Sequence, residues 1–180
     1  MSIKQIIQAT IDREGGYVDN PDDRGGKTNW GITEAVARRH GYKGHMRDLP
    51  KVEAVRIYTQ EFYLDAGIGR LELISKAIAE EVFDTGVNMG VGTAGLFIQR
   101  ALNVLNMQSK VYPDLKLDGQ VGKTTAAALE SYLKHRGKEG ELVLLTLLNS
   151  LQGARYVELC EARERNETFI YGWALHRVVI

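Results

Sequence analysis

A mainly α fold is predicted by three features of the chain. Apolar residues recur at helical spacing in most segments, period-2 runs are nearly absent, and turn-forming residues concentrate in one early stretch and one later connection. Ile3, Ile6, Ile7, Thr10 and Ile11 follow the i, i+3, i+4, i+7, i+8 stripe of an amphipathic helix, and Glu14, about three turns beyond Ile3, continues it. Gly15 and Gly16 supply the stop, because glycine tolerates left-handed geometry at a helix end. From Tyr17 to Thr33, Asn20, Pro21, Asp22, Asp23, Gly25 and Gly26 are too dense in turn formers for a helix interior, so this stretch is an irregular loop with room for a short hairpin.

Thr33 and Glu34 open a short helix ending near Gly41, and Pro50 at a first helical position starts another running to about Ala66. Further helical patterns cover 71–84, 93–106, 124–136 and 139–164. No Pro, Ser or Gly linker marks a boundary. The glycine cluster at Gly86, Gly90, Gly92 and Gly95 and the turn-rich connection from Gln108 to Gly122 suggest two closely packed helical lobes, 1–85 and 86–180.

Composition bounds the function. With 180 residues and 44% apolar side chains the chain can bury one good core or a main lobe with a satellite. Lys plus Arg and Asp plus Glu both total 23, which argues against an electrostatically driven binder of nucleic acid or anionic membrane. Cys160 is the single cysteine, so no internal disulfide is available, and it reads as a packing residue. The amino terminus lacks the continuous apolar core of a secretory signal, and the run Leu142–Leu151 is far short of the ~20 residues that span a bilayer. The expectation is synthesis in the cytoplasm, without a signal peptide or membrane segment.

The early loop carries the chemistry. A Glu on the buried face at the carboxyl end of a helix is pushed toward its protonated form by burial and by the negative end of the helix dipole. A general acid working near neutrality needs that shift, although a fraying helix end would leave Glu14 facing solvent. The following loop places Asp19, Asp22 and Asp23 close by in sequence, with Thr28 and Asn29 available to hold a water. Glycosidic hydrolysis commonly uses two carboxyl groups, one protonated and one ionised. Asp19 and Asp22 individually suit Asx turns or helix caps. Tyr17 and Trp30 flank the loop and could face a sugar ring or a core. Gly25-Gly26-Lys27-Thr28 lacks the spacing and preceding strand of a phosphate loop. His40, His45, His135 and His176 form no HExxH pattern, so neither metal nor cofactor is expected.

Glu14-Gly15-Gly16-Tyr17, Pro21-Asp22-Asp23, Gly25-Gly26, Thr28-Asn29 and Gly31-Ile32-Thr33 resemble the amino-terminal signature of phage-type N-acetylmuramidases, glycoside hydrolase family 108. Phe83–Gly90, Gln99–Asn103, Asp118-Gly119 with Gly122 and Thr124, and Phe169, Gly172-Trp173 and Arg177 resemble the predicted peptidoglycan-binding region that usually follows. Asp118 to Thr124 also reads locally as a turn and helix cap. Arg24 stands where the family pattern usually has proline.

The resemblance implies a lysozyme-like fold and cleavage of the β-1,4 bond between N-acetylmuramic acid and N-acetylglucosamine. Glu14 then aligns with the catalytic acid, Asp23 is the first candidate for the second group, and Thr28 positions water. Tyr17, Asn29, Trp30 and Asn88 are the implied substrate contacts. The partners implied are peptidoglycan glycan strands, with a phage holin or host export route for delivery to the wall. A lytic transglycosylase and a non-catalytic wall-binding or secretion-accessory protein are the competing readings.

Overall fold

The computed structural model describes residues 3–19 and 26–178, with the backbone alone at Ile3, Lys4, Arg13 and Glu14. It is mainly α and divides into two compact units, residues 1–65 and 66–180.

The first unit opens with α1 (Ile3–Glu14), which lies against α3 (Lys51–Tyr58). Of the expected stripe, Ile7, Thr10 and Ile11 are buried at 1%, 5% and 0% exposure and Ile6 is half-buried, while the side chains of Ile3 and Glu14 lie outside the described residues. Between these helices the chain forms a small antiparallel hairpin, β1 (Thr28–Asn29) and β2 (Ile32–Thr33), in register Thr28 to Thr33 and Asn29 to Ile32. Its two turn residues, Trp30 and Gly31, both have positive φ, 54° and 73°, as a two-residue type I′ connection requires. Thr33 then caps α2 (Glu34–Arg39), its Oγ1 accepting from the Val36 N–H at 3.3 Å.

A 3-10 turn at Met46–Asp48 leads to α3, which Pro50 precedes as N-cap, one residue earlier than the expected first helical position. The single α-helix expected to reach Ala66 is corrected at Thr59. There the Thr59 hydroxyl donates to the Val55 carbonyl at 2.7 Å, and the chain widens into a π-helical segment, Thr59–Asp65. A hydroxyl that bonds back along a helix perturbs its ladder at that point. Ile32, Ala37, Met46, Leu49, Ala54 and Ile57 complete the core.

The second unit contains α4 (Ile68–Glu72), α5 (Lys76–Met89), α6 (Val91–Leu105), α7 (Lys123–Glu161) and α8 (Glu167–Arg177). The helix expected over 71–84 is two helices, because Ser75 accepts from the Ile78 N–H at 3.1 Å and starts α5 afresh. The helices expected over 124–136 and 139–164 meet at Gly137, whose φ of 61° and ψ of −147° break the run inside α7. The expected cap before α7 is Gly122, without a side-chain bond, while Asp118 does make a local turn, accepting from the Gln120 N–H at 2.9 Å. Helix α8 had no counterpart in the periodicity. Aromatic docking holds it, with Trp173 stacked at 5.0 Å on Tyr156 and 5.9 Å from Phe169. No helix among the described residues is long and apolar enough to cross a membrane.

Helix α6 is met by bare backbone. A Cβ built on Gly95 would stand 1.9 Å from the Gly119 carbonyl oxygen, and one on Gly119 would stand 2.7 Å from that of Gly92. Helix propensity alone favours Gly95→Ala by roughly 1 kcal/mol, but the overlap with main chain costs more. We expect Gly95→Ala to destabilise the protein by about 1–3 kcal/mol in urea unfolding. A stabilised variant would show that the loop around Gly119 yields without cost.

Candidate active site

The carboxyl end of α1 and the hairpin share one frame. Glu14 is the last residue of α1, and Gly15 follows with φ of 76°, turning the chain sharply out of the helix. Three residues later Val18 and Thr28 exchange two backbone hydrogen bonds, each 2.9 Å. The segment leaving Glu14 is thereby paired to β1. This pairing uses the Thr28 backbone and leaves its hydroxyl outside the ladder.

The hairpin is fixed in turn by side chains. Asn29 is 3% exposed, and its Nδ2 donates to the carbonyls of Met46 at 2.7 Å and Arg47 at 3.1 Å. The structure therefore gives Asn29 a bracing role. Trp30, half-buried, donates its indole N–H to the Leu49 carbonyl at 2.9 Å, which helps to hold a bulky residue in the left-handed region. Lys51 lies 5.9 Å over the Trp30 ring and also pairs with Asp12 of α1. That hydrogen bond holds the Asp12 carboxyl below its ordinary range.

Tyr17 is half-buried, its hydroxyl donating to Asp19 Oδ2 at 3.0 Å. The Arg47 guanidinium sits 5.0 Å over its ring and the His45 ring 6.0 Å away. Partial burial, then the bond to Asp19, push the Tyr17 phenol up. The structure thus brings Tyr17, Thr28, Asn29 and Trp30 together in the first unit, close along the chain to the end of α1. The Glu14 side chain, Asp22 and Asp23 lie outside the described residues.

Asn88 belongs to α5 in the second unit. Its Nδ2 donates to the Asp84 carbonyl at 2.7 Å and to Asp84 Oδ2 at 3.1 Å, while Asp84 Oδ1 receives Arg177 Nη1 at 2.9 Å. Two residues that the sequence motifs singled out, Asp84 and Arg177, are therefore an ion pair between α5 and α8.

Sequence reasoning did not single out Glu81. Burial between α5 and α7 pushes its carboxyl up to about 7, and the neighbouring Asp84 adds to the shift, against hydrogen bonds from Thr85 and Asn149. Asn149, one of its neighbours, comes from α7, distant in sequence, so no local pattern marks the contact.

Residues 7–90 match the family described as Glycosyl hydrolase 108, and residues 93–178 match that described as Predicted Peptidoglycan domain. The two matches meet around Gly90, at the junction of α5 and α6, whereas the compact units divide between residues 65 and 66. Among solved structures the chain is similar to that titled "Structure of Brucella abortus SagA", with a TM-score of 0.70 and 24% identity over 97% of this chain and 87% of that one. Curated proteins provide no match. The mainly α fold expected from the sequence stands, and that solved structure shares it.

The folded chain keeps a proton on Glu81 that the unfolded chain releases above its ordinary value of 4.5. Stability from this group is therefore fully present below about 4.5 and falls as pH rises toward 7, by up to about 3 kcal/mol. Glu81→Gln, which needs no proton, should flatten that decline and be the more stable form at pH 8. Parallel melting curves for the two proteins from pH 4 to 8 would contradict this.

Proposed function

The chain is a glycosyl hydrolase 108 family member with a predicted peptidoglycan domain behind it, and from that premise we propose an N-acetylmuramidase in which Glu14 is the general acid. The family match supports a glycoside hydrolase acting on peptidoglycan. The bond assigned is the β-1,4 link from N-acetylmuramic acid to N-acetylglucosamine.

The observation that carries the residue assignment is the end of α1. A helix with Ile7 and Ile11 buried on one face terminates at Glu14, directly before a left-handed glycine and a segment paired to Thr28. The carboxyl end of a helix in general disfavours an anion, and this is the physical reason for assigning Glu14 the proton that goes to the leaving sugar oxygen. Asp23 is the partner carboxylate, acting on water or on the developing positive charge of the sugar. The Thr28 hydroxyl orients that water.

Tyr17 and Trp30 are the aromatic sugar contacts, and Asn88 is a further polar contact. Asn29 serves the site by holding the hairpin, which sets the position of Thr28. A catalytic role for residues 1–85 and a wall-binding role for 86–180 belong to the same proposal. So does delivery of the chain from the cytoplasm to the wall by a holin or host export route.

Mass spectrometry of fragments released from purified peptidoglycan tests the reading. Wild type should release fragments with reducing N-acetylmuramic acid ends, and Glu14→Gln should lose at least ~100-fold in rate. Anhydro-muramic ends would instead make the enzyme a transglycosylase, and undiminished release by Glu14→Gln would remove the assigned acid.

Asp23→Asn is expected to be more damaging than Asp19→Asn, because Asp19 is engaged with the Tyr17 hydroxyl. Steady-state rates on the same substrate decide, and equal mild losses would send the search for the second group elsewhere.

A further inference from the structure

The connection between α6 and α7 is long, irregular and firmly held. Three side-chain amides, at positions 99 and 103 of α6 and at its C-cap, position 106, grip it at successive points. Gln99 Nε2 donates to Asp118 Oδ1 at 2.8 Å and to the Gln120 carbonyl at 3.0 Å, and its Oε1 accepts from the Gly119 N–H at 3.0 Å. Asn103 takes both backbone groups of Leu115, at 2.9 and 2.7 Å. Asn106 donates to Asp114 Oδ1 at 2.6 Å and accepts from the Ser109 N–H at 3.0 Å.

The same connection holds Met107, Gln108 and Ser109 consecutively in the left-handed region, with φ of 57°, 59° and 62°. Non-glycine residues adopt that geometry only when their surroundings over-determine it, and such strain concentrates at functional sites. A long ordered loop of this kind is characteristically a binding element.

Between this loop and the first turns of α7 lies an open pocket of about 450 Å³, a size suited to a small ligand. Tyr112, Pro113, Asp114 and Lys116 line one side, Ala127 and Ser131 the other. Tyr112 is only 6% exposed and its hydroxyl donates to the Leu102 carbonyl at 2.8 Å, so it presents no broad flat face to a sugar ring. The lining instead combines small apolar surface with one acidic and one basic side chain two residues apart.

We propose that this pocket binds the peptide portion of the wall polymer: the carboxylate of a terminal alanine is directed to Lys116, its methyl group to Ala127, and the free side-chain amine of the preceding diamino acid to Asp114. The inference rests on the reading of the chain as a peptidoglycan hydrolase and names which part of that polymer the second unit holds. Asn106 orients Asp114 for this role, and the Leu115 clamp by Asn103 sets the backbone between the two charges. Ala127, exposed on α7, leaves room for a methyl-sized side chain of the ligand.

The test is titration of the full chain with two probes, followed by calorimetry and amide chemical shifts. One probe is the free tetrapeptide L-alanyl-γ-D-glutamyl-diaminopimelyl-D-alanine, and the other is the N-acetylglucosamine tetramer. The tetrapeptide should bind saturably, and both Ala127→Trp, which fills the pocket, and Lys116→Glu, which reverses its basic charge, should weaken it by about tenfold or more.

Circular dichroism checks that each variant is folded, and Lys116→Glu, on an exposed loop side chain, preserves the test if Ala127→Trp disturbs α7. Absence of tetrapeptide binding, or undiminished binding in the folded variants, overturns the proposal. So does loss of tetramer binding in them while the peptide still binds. Fragment release is read separately: cleavage without peptide binding sinks this inference alone, and peptide binding without cleavage sinks only the muramidase reading.

Discussion

The amide of Asn29 is the contact on which the candidate site depends. A buried side-chain amide must find partners, and this one finds the carbonyls of Met46 and Arg47. Those two bonds set where the hairpin lies against the 3-10 turn, and the hairpin sets where Thr28 lies. Through the Val18–Thr28 pairing, Thr28 in turn holds the segment that leaves α1 after Glu14. A two-stranded hairpin with a left-handed Trp30 at its tip would be marginal by itself. Attached to Leu49 by the indole and to Met46 and Arg47 by the amide, it becomes a rigid part of the first unit.

The second unit repeats the device. Gln99, Asn103 and Asn106 do for the α6–α7 connection what Asn29 does for the hairpin, replacing the missing secondary-structure ladder with side-chain amides. Glycine completes the arrangement, because Gly95 and Gly119 let two backbones approach within distances that a Cβ at either position would forbid. In both units side-chain hydrogen bonds hold irregular backbone in place on a helical scaffold. Helix α5 belongs by sequence to the hydrolase-family stretch and by packing to the second unit, where its Asp84 pairs with Arg177 and its Glu81 is held near neutrality.

How much was legible follows from the range of each interaction. The stripe Ile7, Thr10, Ile11 and the Gly15 stop are local, so α1 could be read from spacing. So could α2, whose Thr33 cap acts three residues away. The break at Ser75 was missed because an N-cap serine inside a continuous apolar pattern looks like any other polar helix residue. The π-helical segment after Thr59 and the docking of α8 escaped for a related reason. Each depends on a contact that periodicity does not encode: a hydroxyl turned onto its own helix, and Trp173 laid against Tyr156.

The sequence by itself determined the helical class, the position of Glu14 at a helix end and the composition of the loop beyond it, because spacing, glycine stops and turn chemistry act within a few residues. Only the tertiary structure decided that Asn29 is a brace, that burial moves the Glu81 carboxyl toward neutrality, and that Asp114 and Lys116 share a pocket with Ala127. Burial and hydrogen-bond partnership are properties of what packs from elsewhere in the chain.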